Sequence, residues 1–317
     1  MSIDDNFFTK NFISRNQKVE LPWLESSGIE LYLKREDEIH PSVSGNKFRK
    51  LKYNLLQAKR LGNPILTFGG AYSNHILASA VGANLMGLQS IGIIRGEELA
   101  KDLQKTLQQN STLRQAKEHG MQFEFVTRAA YREKDTVDFI ENLKQQFGDF
   151  YLIPEGGTNS LAIKGSSEIL TASDAQFDYI CCCVGTGGTI AGLIHRAAPH
   201  QKVIGYPALK GEFLKTDIQQ WIKNRTNWSL VANYHFGGYA KYNLDLIRFI
   251  NDFKQQTNIP LDPVYTGKMI FGILDGISNH QFEKGSKIVA IHTGGLQGIN
   301  GFNQRLQKEQ QEIQLIS

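Results

Sequence analysis

Tyr179-Ile180-Cys181-Cys182-Cys183-Val184-Gly185-Thr186-Gly187-Gly188-Thr189-Ile190-Ala191-Gly192 reads as a buried strand, a glycine turn and the opening of a helix. An apolar run of six residues ending in glycines is the pattern of a parallel strand covered on both faces. Glycines let backbone N–H groups approach an anion, and the Thr186 and Thr189 hydroxyls with the helix N-terminus complete a cradle for a phosphate. A dinucleotide fits less well. Ile190 stands where a third glycine belongs, and the next strand, Lys202–Tyr206, runs into Pro207 without an acidic residue to hold a ribose. A nucleoside-triphosphate loop is disfavoured too, because no Gly-Lys-Ser/Thr follows. The three consecutive cysteines are the only ones in the chain. Neighbouring strand positions point to opposite faces, so these thiols suit a reduced core strand rather than a disulfide or a zinc site.

Outward from this unit, short β-branched or aromatic runs alternate with longer helical patterns. Strands are expected at Ile29–Lys34, Pro64–Phe68, Ser90–Arg95, Gln122–Val126, Phe150–Ile153, Tyr179–Val184, Lys202–Tyr206 and Lys287–His292. Between them, helices are expected from about Asn46, where Phe48, Leu51, Leu55 and Ala58 share a face, and at Asn74–Met86, Leu103–His119, Tyr131–Phe147, Leu161–Ala172, Thr189–Ala198, Leu244–Gln256 and Lys268–Asn279. This alternation predicts an α/β protein with doubly wound open sheets and ligands at the carboxyl ends of strands. Residues 50–153 make a compact unit alone. A discontinuous large domain, 1–49 with 154–317, with the small one inserted and the site in the cleft between, follows as the expected organisation.

The second informative stretch is Lys34-Arg35-Glu36-Asp37, then Ser44-Gly45-Asn46-Lys47-Phe48-Arg49-Lys50. It reads as strand, turn and helix, which places Lys47 in a first helical turn where the backbone dipole disfavours an ammonium. Arg49, Lys50 and Lys52 add like charge nearby. A lysine pushed toward its neutral form is a nucleophile suited to condensing with an aldehyde cofactor. Two further turns flank strands: Phe68-Gly69-Gly70-Ala71-Tyr72-Ser73-Asn74-His75 and His292-Thr293-Gly294-Gly295-Leu296-Gln297-Gly298. Ser73 or Asn74 caps the helix that follows. Free amides there can also hold a substrate carboxylate, with Ser73, Asn74 and His75 facing the cleft.

Composition sets the outer limits. The 317 residues carry a net charge of +4 and no long basic run, which argues for an anion site and against a nucleic-acid partner. The acidic start and the lack of a long apolar stretch point to a cytoplasmic protein with no membrane segment. Other histidines, His40, His119, His195, His200, His235 and His280, have no metal-ligand spacing and are expected to be structural.

Taken together, Lys47 and these loops resemble the pyridoxal-phosphate enzymes of the tryptophan synthase β-like fold (fold type II). Within them the chain is similar to the D-cysteine desulfhydrase and 1-aminocyclopropane-1-carboxylate (ACC) deaminase branch, on Gly45-Asn46-Lys47-Phe48-Arg49-Lys50 and Ser73-Asn74-His75 above all. The resemblance implies a homodimer with pyridoxal 5'-phosphate in the interdomain cleft and a small amino acid as substrate. Lys47 would carry the cofactor aldehyde, Asn74 its phenolic oxygen, and Gly185, Thr186, Gly187, Gly188 and Thr189 its phosphate. Ser73 would relay a proton near Cα. Tyr239, in Phe236-Gly237-Gly238-Tyr239, and Tyr265, in Asp262-Pro263-Val264-Tyr265-Thr266-Gly267-Lys268, would be active-site tyrosines, with Thr266 on the pyridine nitrogen. ACC deaminases carry a glutamate at that last point and usually a glutamine at the place of His75. A neutral threonine leaves a weaker electron sink, adequate for removing a Cα proton and expelling a good β leaving group. The resemblance therefore implies α,β-elimination on D-cysteine, with ACC deamination as the near alternative. A non-catalytic phosphate-ligand binding protein is the alternative of another class.

Overall fold

In the computed structural model, residues 7–10, 12–43, 45–211, 213–311 and 314–315 are described. They form ten strands, β1 (Asn16–Lys18), β2 (Glu30–Lys34), β3 (Ile65–Gly70), β4 (Ser90–Arg95), β5 (Gln122–Val126), β6 (Tyr151–Ile153), β7 (Tyr179–Val184), β8 (Lys202–Pro207), β9 (Trp228–Leu230) and β10 (Lys287–Ile291), in two sheets. The larger runs β1-β2-β10-β7-β8-β9 and the smaller β5-β4-β3-β6. Every pairing is parallel except β1 against β2. Two open, mostly parallel sheets with helical crossovers are the doubly wound α/β arrangement expected above.

Alternation along β7 shows how the large sheet is built. Cys181 and Cys183 enter one apolar layer with Leu31, Leu33 and Ala290, while Ile180, Cys182 and Val184 enter the opposite layer with Val289 and Ile291. All three thiols are therefore free and buried on alternating faces.

Helix Asn46–Leu61 buries Phe48, Leu51, Leu55 and Ala58 against the small-sheet core. Its other neighbour is helix Ser160–Ser167, and contact is close because Gly165 has no side chain. A Cβ there would stand 1.9 Å from the Arg49 carbonyl oxygen. The start of the helix is pinned equally tightly. Gly45 has φ +63°, and a Cβ on it would lie 1.9 Å from the Thr293 carbonyl oxygen, so the turn before Lys47 is clamped against the end of β10. Behind it, Arg49 and Glu36 form a buried two-point ion pair, with 2.8 Å in each arm.

Two expected helices are broken. Leu103–His119 is interrupted at Asn110, whose side chain accepts from Leu113 N and so starts a second helix, Ser111–Glu118. Tyr131–Phe147 divides into Arg128–Arg132 and Val137–Phe147, capped by Thr127 and Thr136.

Candidate active site

A cavity of about 500 Å³ opens where carboxyl ends of strands from both sheets face each other. Gly70 and Arg95 come from β3 and β4, Cys183 and Val184 from β7, and Thr293, Gly294 and Gly295 from the turn after β10. Three helix beginnings reach the same space: Asn46 and Lys47, Asn74 and His75, and Gly188 and Thr189. This is the crevice position at which open α/β sheets bind ligands.

Lys47 is the second residue of its helix and lines the cavity. Among the described residues no hydrogen bond or ion pair engages its ammonium, and burial pushes its pKa down to about 8. Burial, rather than clustered charge, is the main cause. Arg49 is neutralised by Glu36 and Lys52 by Glu168, at 2.6 Å, so of that basic run Lys50 is the cation that still faces the cleft.

Lys50 was missed as a site residue in the sequence, although i,i+3 spacing puts it on the face of Lys47. It is 1% exposed, donates to the Gly156 carbonyl, and lies 2.8 Å from Thr158 Oγ1 and 3.3 Å from Thr186 Oγ1. Burial and then the Lys47 charge lower its pKa well below the usual value. Above it stands the Gly185–Thr189 loop. Helix Gly188–Arg196 begins at Gly187, φ +80°, with no side chain capping its first amides. A Cβ on Gly188 would approach within 2.9 Å of Thr158 Oγ1. Bare amides, a helix N-terminus and a buried ammonium make an anion site that fits a phosphate, and Lys47 supplies the amine an aldehyde needs. The residues present fit pyridoxal phosphate.

The other expected residues divide. Ser73 caps helix Asn74–Leu85, accepting from Ile76 N at 3.4 Å, and Ser73, Asn74 and His75 all line the cavity. Tyr239 and Tyr265 lie together, ring centroids 6.1 Å apart at 66°. Burial raises the phenol pKa of Tyr265 well above its usual value, and that of Tyr239, half exposed at the cavity mouth, is raised less. Thr266 is a correction: it is fully buried and is not among the cavity-lining residues. As the first residue of helix Thr266–Ser278, it donates its hydroxyl proton to Asp262 Oδ2 at 2.6 Å and accepts from Asp262 N at 2.9 Å. Its hydroxyl closes the turn that carries Tyr265 instead of facing the cleft.

A family model described as pyridoxal-phosphate dependent enzyme matches residues 10–294. The chain belongs to the pyridoxal-phosphate dependent enzymes. Within this family it is 31% identical to an Arabidopsis thaliana protein named bifunctional D-cysteine desulfhydrase/1-aminocyclopropane-1-carboxylate deaminase, mitochondrial, over 88% of this chain and 75% of that one. It is 26% identical to a D-cysteine desulfhydrase of Serratia proteamaculans, over 87% and 89% of the two chains. A solved structure described as an ACC deaminase homologue superposes with a TM-score of 0.76 at 28% identity, covering 94% of each chain. The pyridoxal-phosphate fold type II architecture expected from the sequence is thereby shown.

Proposed function

We propose that this pyridoxal-phosphate dependent enzyme is a lyase that converts D-cysteine and water to pyruvate, hydrogen sulfide and ammonia. One observation carries the choice of elimination over ring opening. Among the described residues, the charged side chains of the cavity wall are Lys47, Lys50, Arg95 and Glu155, and none comes from the Tyr265 turn. The carboxylate of that turn, Asp262, is 2% exposed and already accepts from Val264 N, Tyr265 N, Thr266 N and Thr266 Oγ1. The site therefore lacks an available carboxylate where the resemblance would put the deaminase glutamate.

Pyridoxal phosphate, when bound, supplies the electron sink for charge developing at the substrate Cα. Lys47 Nζ would hold its aldehyde carbon, with Asn74 at the phenolic oxygen. Gly185 to Thr189 and Lys50 would hold the phosphate. The amides opening helix Asn74–Leu85, with Ser73, would orient the substrate carboxylate. Lys47, once its amine is free, would be the base for the Cα proton, and Ser73 Oγ, on the same cavity wall, would carry it onward. Tyr239 and Tyr265 would cover the departing thiolate and exclude water. We further propose the division into 1–49 with 154–317 and an inserted 50–153, a homodimeric state and a cytoplasmic location.

Parallel assays with D-cysteine, L-cysteine and ACC test the reading. The expected result is sulfide from D-cysteine with kcat/KM at least about tenfold above that for any other of the three, a margin of roughly 1.4 kcal/mol. Faster release of 2-oxobutanoate from ACC, or no turnover at all, would overturn it.

A further inference from the structure

The loop bearing Tyr239 has an unusual backbone and an unusual anchor. Phe236, Gly237, Gly238 and Ala240 all have positive φ, at 51°, 92°, 119° and 53°. For Phe236 and Ala240 that conformation is strained and persists only where the surroundings hold it. Two successive turns result, closed by Gly238 N donating to His235 O at 3.0 Å and Lys241 N donating to Gly238 O at 3.1 Å. Tyr239 lies inside the second.

Lys268, one helical turn beyond Tyr265, is 2% exposed, and its Nζ donates to both closing carbonyls, His235 O and Gly238 O, at 2.8 Å each. Among the described residues no carboxylate lies within ion-pair distance of it. Burying an ammonium without a paired anion is costly unless charge-assisted hydrogen bonds offset the desolvation. Two carbonyls from one strained loop are what it receives. We propose that Lys268 is a positioning residue that locks the Tyr239 loop to the helix of Tyr265, so that the two tyrosines close the substrate half of the cavity as one unit. The same helical turn thus supplies one tyrosine through Tyr265 and fixes the other through Lys268. The lysine touches neither the cavity nor the reacting atoms.

The inference rests on the proposed function only for its kinetic readout. The variant Lys268→Met keeps the side-chain length and removes the donor. The expected result is hydrogen exchange of the amides of residues 236–241 at least about tenfold faster, a KM for D-cysteine raised about tenfold or more with a smaller change in kcat, and an unchanged visible band of lysine-bound cofactor. In a Tyr239→Ala background the same substitution is expected to raise KM less than about twofold further, because the lysine acts through that loop. Unchanged exchange and KM, or an equal KM increase in both backgrounds, would overturn the proposal. If the variant does not fold, the unsubstituted protein decides. Protection of the Gly238 and Lys241 amides by about a hundredfold or more supports the lock, and exchange at the rate of an unstructured chain overturns it. A protein with no D-cysteine turnover but with a loop that loosens in Lys268→Met would sink the functional reading and leave the lock standing.

Discussion

Thr67 Oγ1 lies 2.8 Å from His75 Nε2 while donating its own proton to the Ile153 carbonyl at 2.8 Å. A hydroxyl has one proton, so Thr67 must accept from His75, which fixes the imidazole with hydrogen on Nε2 and a lone pair on Nδ1. Nδ1 is buried and has no partner within the protein. Burial, then the charges of Lys47 and Lys50, hold the pKa of His75 well below its usual value of 6.5.

The sign of the resulting pH dependence is determined. His75 stays neutral in the folded state, whereas in the unfolded chain it takes a proton below about 6.5. Its neutral burial therefore costs nothing above that pH. As pH falls below it toward the depressed folded value, stability is lost at up to about 1.4 kcal/mol per pH unit. Urea unfolding of the native protein and of His75→Gln from pH 7 down to pH 5 checks this, with a shallower acid slope expected in the variant.

Lys50 is expected to govern cofactor retention more than folding. Lys50→Ala removes the ammonium beneath the Gly185–Thr189 loop and the donor to Thr158 Oγ1. Loss of a charge-assisted contact of roughly 1.5–3 kcal/mol corresponds to about 10- to 150-fold weaker binding. Equilibrium titration of the cofactor-free protein with pyridoxal phosphate measures it, and pyridoxal lacking the phosphate should show little difference between variant and native protein.

Much of this site could be read from the chain because its turns are local. Glycines after β7, the Ser73 cap and the position of Lys47 are set by residues within one turn of each other. What escaped has a tertiary cause. β1 and β9 span three residues each, too short to show a period, and exist because β2 and β8 offer them an edge. Asn110 breaks an otherwise helical run because its side chain also donates to the Ala71 carbonyl, 39 residues away. Thr158 meets the phosphate loop through Thr186 Oγ1 at 2.6 Å, and Glu155 lines the same cavity, and no spacing in the sequence announces either. Thr266 sits beside Tyr265 in the chain, yet its hydroxyl turns back to Asp262, a choice decided by capping geometry.

Breaking the ion pair behind Lys47 should be expensive. Glu36 is fully buried and receives Arg49 through two arms and Ser14 Oγ at 2.5 Å. Glu36→Ala would leave the guanidinium buried without its partner, an expected loss of about 3–5 kcal/mol. Urea unfolding measures it, and the double variant Glu36→Leu with Arg49→Met should recover part of the loss.

Capture of the cofactor should follow the ionisation of Lys47. With its pKa lowered to about 8, the reactive amine is the minor form at pH 7. The initial rate at which cofactor-free protein develops the visible band should rise close to tenfold per pH unit below that value and level off above it. Stopped-flow absorbance from pH 6 to pH 9 follows the curve.

Borohydride reduction of the cofactor-loaded protein, followed by peptide mapping, addresses the amine itself. Loss of the visible band with a reduced pyridoxyl group on Lys47 is the expected result. A group found on Lys50, Lys268 or another lysine, or no covalent group at all, would contradict the central claim that the Lys47 amine, lining the cavity with the glycine cradle, is the one that bonds the cofactor.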